Sequence, residues 1–330
     1  MSIKHDIVHQ ALLGITDRHT MKSYKQSISN FCEWARDNGI TKFKDMKGRR
    51  IDVLNDYVRS LEERGYSAGS IHTFIAPVCK GLQIPMDKIE KPRRKASYIS
   101  KRRVSSSNLQ GKRELAQPRF RRAVDLAEAV GARRSELGRL TYRDLLAFDE
   151  SGYRCVSIRR GKGGKNTLQR LTPAQIKICD DFIMTAVYVG IPLDCRILTK
   201  AELANHIDFH SIRAERARKA YDLYKNRIEA EGREPLIKEL VSRWNAFNPK
   251  EDAIHITQNG DYVTGPKSRA VNFLKTINMA TKPYLLRGDN RLRALEIKRP
   301  VKYDRLALLA TSVFELSHWR TDVTVTNYML

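Results

Sequence analysis

The stretch YRCVSIRRGKGGKNTLQRLTP, residues 153–173, sets the class of the second half of the chain. Apolar and polar residues alternate in YRCVSI and again in TLQRL, and the glycines of GKGG between them favour a turn. These two alternating runs predict a β-hairpin. Helical patterns precede and follow the hairpin, so we predict a mainly α protein with a small β-sheet, which gives this half an α+β architecture.

Apolar residues recur at helical spacing through residues 1–90. The first stripe stops at Asn38-Gly39 and the second at Gly65, while the third follows Ser67 or Ser70, either of which is a suitable N-cap. We therefore predict a small helical bundle with short connections for this part of the chain.

Composition changes in residues 91–114. The run KPRRKASYISKRR, residues 91–103, holds seven Lys or Arg residues and no acid, which is typical of an interdomain linker. The linker is either a solvated tether or a strap that contacts DNA phosphates. The cations of the strap would be Lys91, Arg93, Arg94, Lys95, Lys101, Arg102 and Arg103.

Residues 115–330 are predicted to form the second domain. Gly131 breaks its first helical stretch into two pieces. Further elements predicted from periodicity are helices at 174–188, around 211–231 and from near Tyr303 to about Leu316, and a small hairpin around Asn259-Gly260.

The formal net charge is +24, which indicates an anionic partner. The cations are spread over most of the chain, which favours DNA or RNA over a small acidic ligand or a membrane surface. No apolar run approaches about 18 residues and the start lacks a secretory signal, so we expect a cytoplasmic protein. The five cysteines lack metal-ligand spacing, which predicts reduced thiols and no metal site.

Four separated segments carry side chains suited to metal-free phosphoryl transfer. Arginines neutralise charge on phosphoryl oxygens, an ammonium or imidazole protonates the leaving oxygen, and a Tyr hydroxyl is a nucleophile once a base or a positive site activates it. Each segment alone has an ordinary structural explanation, such as a surface ion pair or a packed chain end. The segments are GARRSEL with Arg133 and Glu136, GKGGK with Lys162 and Lys165, HSIR with His210 and Arg213, and the tail with His318 and Tyr328.

In this order the segments resemble the sequence boxes of the tyrosine recombinases, the phage integrase family. GARRSELGRLTYRDL resembles the first arginine box and RRGKGGKNTLQRLTP the hairpin that carries the lysine. HSIRAERARKAYDLY resembles the His-x-x-Arg box, and ELSHWRTDVTVTNY the last box. TMKSYKQSISNFCEWARDNG and GYSAGSIHTFI resemble the helical core-binding domain, so the resemblance covers most of the chain.

The resemblance implies a SAM-like helical core-binding domain at residues 1–90 and a catalytic domain at 115–330, clamped around duplex DNA with the basic linker between them. It also implies that Tyr328 attacks a phosphodiester to form a 3′-phosphotyrosine, without a cofactor or metal ion. The implied supporting roles are phosphate binding by Arg133 and Arg213, a hydrogen bond from His318, acid catalysis by Lys162 in preference to Lys165, proton transfer by His210, and orientation of Arg133 by Glu136.

The sequence departs from the family pattern in three ways. Arg213 and His318 lie much further apart than in the family, so residues of about 225–300 are interpreted as an insertion. The step from His318 to Tyr328 is one residue longer than usual. Only two residues follow Tyr328 here, whereas many members carry a further helix that packs on a neighbouring protomer. We therefore expect the insertion to supply protomer contacts.

The expected function is site-specific recombination for DNA integration, excision or cointegrate resolution, in a mobile element or transposon. The expected partners are duplex DNA at specific recombination sites, further copies of the chain in a tetrameric synapse, and an accessory DNA-bending or directionality protein. The expected location is the bacterial cytoplasm, at the nucleoid. Two alternatives stay open: a DNA-binding accessory protein without catalysis, and a type IB topoisomerase-like nicking-closing enzyme.

Overall fold

The computed structural model describes residues 3–94, 109–161 and 164–330, and the chain divides into two units, Met1–Lys95 and Ala96–Leu330. The described residues are mainly helical with small antiparallel sheets, as the sequence predicts. Within these ranges no helix is both long enough and apolar enough to cross a membrane.

Four α-helices make up the described part of the first unit, and the predicted stripes account for three of them. Asp17 caps the second helix by accepting a hydrogen bond from the Thr20 backbone N–H at 2.7 Å. Ser67 caps the fourth, which decides between the two predicted capping serines. The helices are α1 (Ile3–Leu12), α2 (Arg18–Asp37), α3 (Arg50–Glu63) and α4 (Ala68–Leu82).

The second unit contains the predicted hairpin at the expected place. Strand β2 (Arg154–Ile158) pairs antiparallel with β3 (Thr167–Arg170), with Ile158 opposite Thr167. A short strand β1 (Ala147–Phe148), which the sequence pattern did not indicate, adds to the outer edge of β2. The hairpin prediction is confirmed.

The helices of the second unit lie before and after this sheet along the chain. Gly131 ends one helix with a φ of +58°, a left-handed conformation that glycine adopts without strain, so the predicted break is confirmed. The predicted helices at 174–188 and 211–231 are also confirmed. The helices up to this point are α5 (Leu109–Leu115), α6 (Arg121–Val130), α7 (Arg134–Leu137), α8 (Pro173–Val189), α9 (Lys200–Leu203) and α10 (Phe209–Glu231).

Residues 225–300 fold into regular elements, including the predicted hairpin around Asn259-Gly260. Trp244 and Phe273 from this segment stack at 4.8 Å, and Trp319 of the tail meets both rings edge-on. The segment therefore shares one hydrophobic core with the tail. Its elements are the end of α10, α11 (Glu234–Phe247), β4 (His255–Ile256), β5 (Tyr262–Val263), α12 (Ala270–Asn278), β6 (Tyr284–Leu285) and α13 (Gly288–Glu296).

The chain ends in short helical elements with two π-helical turns. Strand β7 pairs with β6, and the predicted helix from Tyr303 to Leu316 starts two residues late and finishes in a π-turn. The elements are β7 (Lys302–Tyr303), α14 (Arg305–Ala310), a π-turn (Thr311–Glu315), α15 (Thr321–Thr324) and a second π-turn (Val325–Met329).

A buried ion-pair network fastens the hairpin to the helices that follow. The Asp149 side chain is fully buried and accepts hydrogen bonds from Arg170 Nε at 2.6 Å and Arg243 Nη2 at 2.7 Å. Glu239 of α11 pairs with Arg170 and also accepts from Arg227 of α10 at 2.7 Å. Because charges buried at this depth need partners, the network fixes the sheet relative to α10 and α11.

Candidate active site

The first turn of α10 presents His210 and Arg213. Asp208 caps the helix by accepting from the backbone N–H groups of His210 and Ser211 at 3.0 and 3.1 Å. Arg213 is 1% exposed, and this burial lowers the pKa of its guanidinium. Even so, an arginine stays charged at neutral pH, so a fixed positive charge lies inside this domain.

Two main-chain carbonyls and one phenol hold the Arg213 guanidinium. Nη1 donates to the Gly131 carbonyl, Nη2 to the Leu316 carbonyl at 2.9 Å, and Nε to the Tyr328 hydroxyl at 3.4 Å. Gln169 accepts a further bond from Nη1 at 3.2 Å in the amide orientation that satisfies both of its polar atoms. These acceptors come from separate stretches of the chain, so Arg213 links the helix, the sheet and the tail.

Arg133 and Glu136 form the expected pair at the start of α7. The buried Glu136 carboxylate accepts from the Arg133 backbone N–H at 2.8 Å and from Nη1 at 2.6 Å. Burial alone would lower the pKa of Arg133, but the adjacent Glu136 carboxylate and the Tyr328 phenol raise it overall. The guanidinium is therefore both charged and oriented, and it lies beside Tyr328.

The tail brings Tyr328 into the middle of these groups. Its ring centroid lies 5.3 Å from that of His210, 6.4 Å from that of His318 and 5.7 Å from the guanidinium carbon of Arg213. Tyr328 is 3% exposed. Arg218 donates from Nη1 to the Tyr328 carbonyl at 2.9 Å and so binds the backbone of this residue. The sequence did not indicate a role for Arg218.

One π-turn leads into the tail, and a second π-turn ends it. The Leu316 N–H donates to Thr311 O and the Leu330 N–H to Val325 O, each at 3.2 Å, which is the five-residue spacing of a π-helix. A π-turn contains one more residue than the α-turn that it replaces. The second π-turn contains Tyr328, and π-turns often occur at functional sites.

His318 is a neutral hydrogen-bond donor. Its Nδ1 accepts from the Arg320 backbone N–H at 3.4 Å, which assigns the ring proton to Nε2. Nε2 is buried and has no partner among the described residues. Burial, and then the charges of Arg213 and Arg133, lower the pKa of His318 to about 4. The site therefore holds one buried N–H that is available to an acceptor.

The predicted lysine, Lys162, lies outside the described residues, but its neighbour Gly161 is described. A Cβ placed on Gly161 would lie 3.4 Å from Glu136 Oε1 and 3.2 Å from the Lys165 carbonyl. The hairpin thus brings residue 161 against the Arg133–Glu136 pair. Lys165 is exposed.

The linker cations are described only in part. Arg93 and Arg94 are exposed, whereas the Lys91 ammonium donates to the Ile89 carbonyl at 3.0 Å and to the Met86 carbonyl. Lys91 is therefore engaged with its own backbone. Lys95, Lys101, Arg102 and Arg103 lie outside the described residues.

A buried ion pair between Arg216 and Glu315 lies next in sequence to a residue that binds Arg213. The Arg216 guanidinium pairs with Glu315 at 2.7 Å, and Tyr224 donates to the same carboxylate at 3.0 Å. Glu315 directly precedes Leu316, whose carbonyl binds Arg213. Nothing in the sequence separated this pair from ordinary helix-surface charges. Among the described residues, no group of three or more His, Cys, Asp or Glu side chains is placed to hold a metal ion.

Comparison with known proteins adds little to this geometry. No protein-family model matches the chain, and no curated protein is significantly similar to it. Among solved structures, the chain aligns with a crystal structure of XerA recombinase at 14% sequence identity, over 99% of this chain and 93% of that one. The TM-score of that alignment is 0.26, which is too low to support an argument about fold or chemistry.

Proposed function

We propose that this protein cleaves and rejoins duplex DNA through a covalent phosphotyrosine, as the tyrosine recombinases do. The observation that carries the proposal is the convergence of four side chains on one phenol. Arg133, His210, Arg213 and His318 come from three separate stretches of the chain, and all lie around Tyr328. A surface ion pair or a simply packed chain end would not require that arrangement.

The proposed reaction begins with attack of the Tyr328 hydroxyl oxygen on the phosphorus. The bond from phosphorus to the 5′-oxygen breaks, which leaves the protein joined to the 3′-phosphate and frees a 5′-hydroxyl. His210 takes the phenol proton, and Lys162 gives a proton to the leaving 5′-oxygen. Attack by a 5′-hydroxyl on the phosphotyrosine reverses these steps and rejoins a strand.

The surrounding charges suit the transition state of this reaction. Arg133 and Arg213 would neutralise the non-bridging oxygens, where negative charge increases during attack. The Nε2–H of His318 has no partner among the described residues, so it can donate to one of those oxygens. Glu136 would keep the Arg133 guanidinium turned toward the phosphate.

The larger assembly is part of the proposal. Residues 1–90 would contact the duplex as a core-binding domain, and the cations of residues 91–103 would cross its backbone as a strap. Four copies would synapse two specific recombination sites for integration, excision or cointegrate resolution, with an accessory DNA-bending or directionality protein. The net charge of +24 supports a polyanionic partner.

The test is covalent capture on nicked suicide duplexes made from the DNA that flanks the gene, followed by a denaturing gel. We expect a protein–DNA adduct with the wild type, mapped to Tyr328 by mass spectrometry, and none with Tyr328→Phe. Tyr303→Phe is the matched control, because it removes a buried phenol from the same core without removing a described hydrogen bond. An adduct with Tyr328→Phe would mean that another residue is the nucleophile. Tight binding of both proteins without an adduct would favour the accessory protein.

A further inference from the structure

The segment from Lys282 to Lys302 is strongly basic. It holds seven Lys or Arg residues and two acids. The cations are Lys282, Arg287, Arg291, Arg293, Lys298, Arg299 and Lys302.

One of these cations is structural, and the other six are exposed. Arg293 is 6% exposed and pairs with Glu296 at 3.1 Å. None of the six exposed cations has a carboxylate partner in the described part of the chain. Some exposed cations elsewhere in this unit have such partners, as in Lys219–Glu215 and Arg320–Asp322, and others, such as Lys177, do not. The six exposed cations of the segment are therefore not neutralised by described ion pairs.

The exposed cations belong to residues 282–303, here called the basic layer. The buried side chains of this layer pack into the hydrophobic core. Leu286, Ala294 and Tyr303 of the layer lie in the hydrophobic core. Arg287 and Arg291 are one helical turn apart at the start of α13. Strand β7 adds the exposed Lys302. The outer side of the layer thus presents like charges that repel one another unless an anion binds.

This layer packs on the same hydrophobic core as Tyr328. The core that takes up its inner side also contains Val325 and Tyr328. Arg218 donates to the Tyr328 carbonyl at 2.9 Å, and its pKa is lowered by burial and then by the adjacent charge of Arg299. Arg299 of the layer therefore lies close enough to Arg218, which binds the Tyr328 carbonyl, for the two charges to repel each other.

We infer that the six exposed cations of residues 282–302 form a phosphate-binding surface, which holds the DNA backbone beside the strand that Tyr328 attacks. A duplex fits because its phosphates are regularly spaced along the backbone and bind Lys and Arg without regard to sequence. This assignment rests on the proposed function for the identity of the polyanion. The surface would give sequence-independent affinity and would set the position of the duplex relative to the site.

The exposed side chains of Leu292 and Leu295 lie in the same segment, and cations mixed with leucines would also suit an anionic membrane surface. Duplex DNA is favoured because the layer packs on the same core as Tyr328, the phenol beside which Arg213 and Arg133 lie. Membrane binding is therefore an outcome that the experiment has to detect.

The test compares two triple variants of the full chain with equal loss of charge. One is Arg287→Gln, Arg291→Gln and Lys298→Gln. The control is Lys177→Gln, Lys200→Gln and Lys238→Gln, which removes three other exposed cations without described carboxylate partners. Duplex binding is measured by fluorescence anisotropy over a series of salt concentrations. We expect the slope of log K against log salt to fall by about 2 to 3 in the first variant, at about 0.9 per lost phosphate contact, and by less than about 1 in the control.

Equal slopes for the two variants, with unchanged urea midpoints, would overturn the inference. It would also be overturned if the first variant lost binding only to vesicles of anionic lipid. The covalent capture assay separates this result from the proposed chemistry. Duplex binding that depends on these cations in a protein without an adduct would refute the chemistry and keep the surface. An adduct together with equal slopes would support the chemistry and refute the phosphate-binding surface.

Discussion

His318 should make the folded protein sensitive to mild acid. Its pKa is about 4 in the folded protein and about 6.5 in the unfolded chain, because burial and then Arg213 and Arg133 oppose its protonation. Between these values the unfolded chain binds the extra proton, so stability is full above pH 6.5 and declines as the pH falls toward 4. The full pKa difference corresponds to about 3 kcal/mol in the free energy of unfolding. About 2 kcal/mol of this stability should already be lost at pH 5.

The assay is urea unfolding at pH 7.5 and pH 5, with the fluorescence of Trp244 and Trp319 reporting on the second unit. We expect wild type to lose about 2 kcal/mol more than His318→Gln between these pH values, because the variant lacks the titrating ring. His255→Gln removes an exposed imidazole and serves as the control. If His318→Gln and wild type lost the same stability, the described burial of this ring would be wrong.

Two further predictions concern stability and use the same urea assay. Asp149→Asn should cost about 3 kcal/mol or more, because it leaves two buried guanidiniums undercompensated, whereas Asp194→Asn breaks an exposed pair and should cost much less; equal costs would contradict the buried network. Gly131→Ala should destabilise by more than the roughly 1 kcal/mol expected of Gly190→Ala, because both positions have a positive φ but only at Gly131 would the new methyl lie 2.7 Å from Arg216 Cδ. Equal losses at the two glycines would mean that the Arg216 side chain moves aside freely.

Local periodicity accounts for the parts of the fold that the sequence predicted. The hairpin of β2 and β3 alternates over several residues on each side of a glycine turn, and helices α2, α3 and α4 carry full apolar stripes. Strand β1 spans two residues, which is too short for any period to be visible. The π-turns were not predictable either, because they depend on which carbonyl each N–H selects and not on the residue types.

The candidate site also has one part that the sequence predicted and one part that it did not. Arg133, His210, Arg213, His318 and Tyr328 were chosen from the sequence for their chemistry, and the fold brings them together. The groups that hold them are largely main-chain atoms, such as the Gly131 and Leu316 carbonyls, and a carbonyl leaves no trace in a sequence. Arg218 and Glu315 were missed because helices carry many charged residues, and only the tertiary structure shows which of them are buried or bonded.

The bonding of Arg213 affects how loss-of-function variants should be interpreted. Its guanidinium donates hydrogen bonds to the carbonyls of Gly131 and Leu316. A neutral substitute would leave these two buried acceptors without donors, at a cost of about 1–3 kcal/mol each. An inactive Arg213 variant would therefore reflect misfolding as much as lost chemistry, and a genetic screen would recover it among unstable proteins. Tyr328→Phe gives up only the bonds of the phenol hydroxyl, which include the 3.4 Å bond from Arg213 Nε, and keeps the ring in its packing, which makes it the cleaner catalytic knockout.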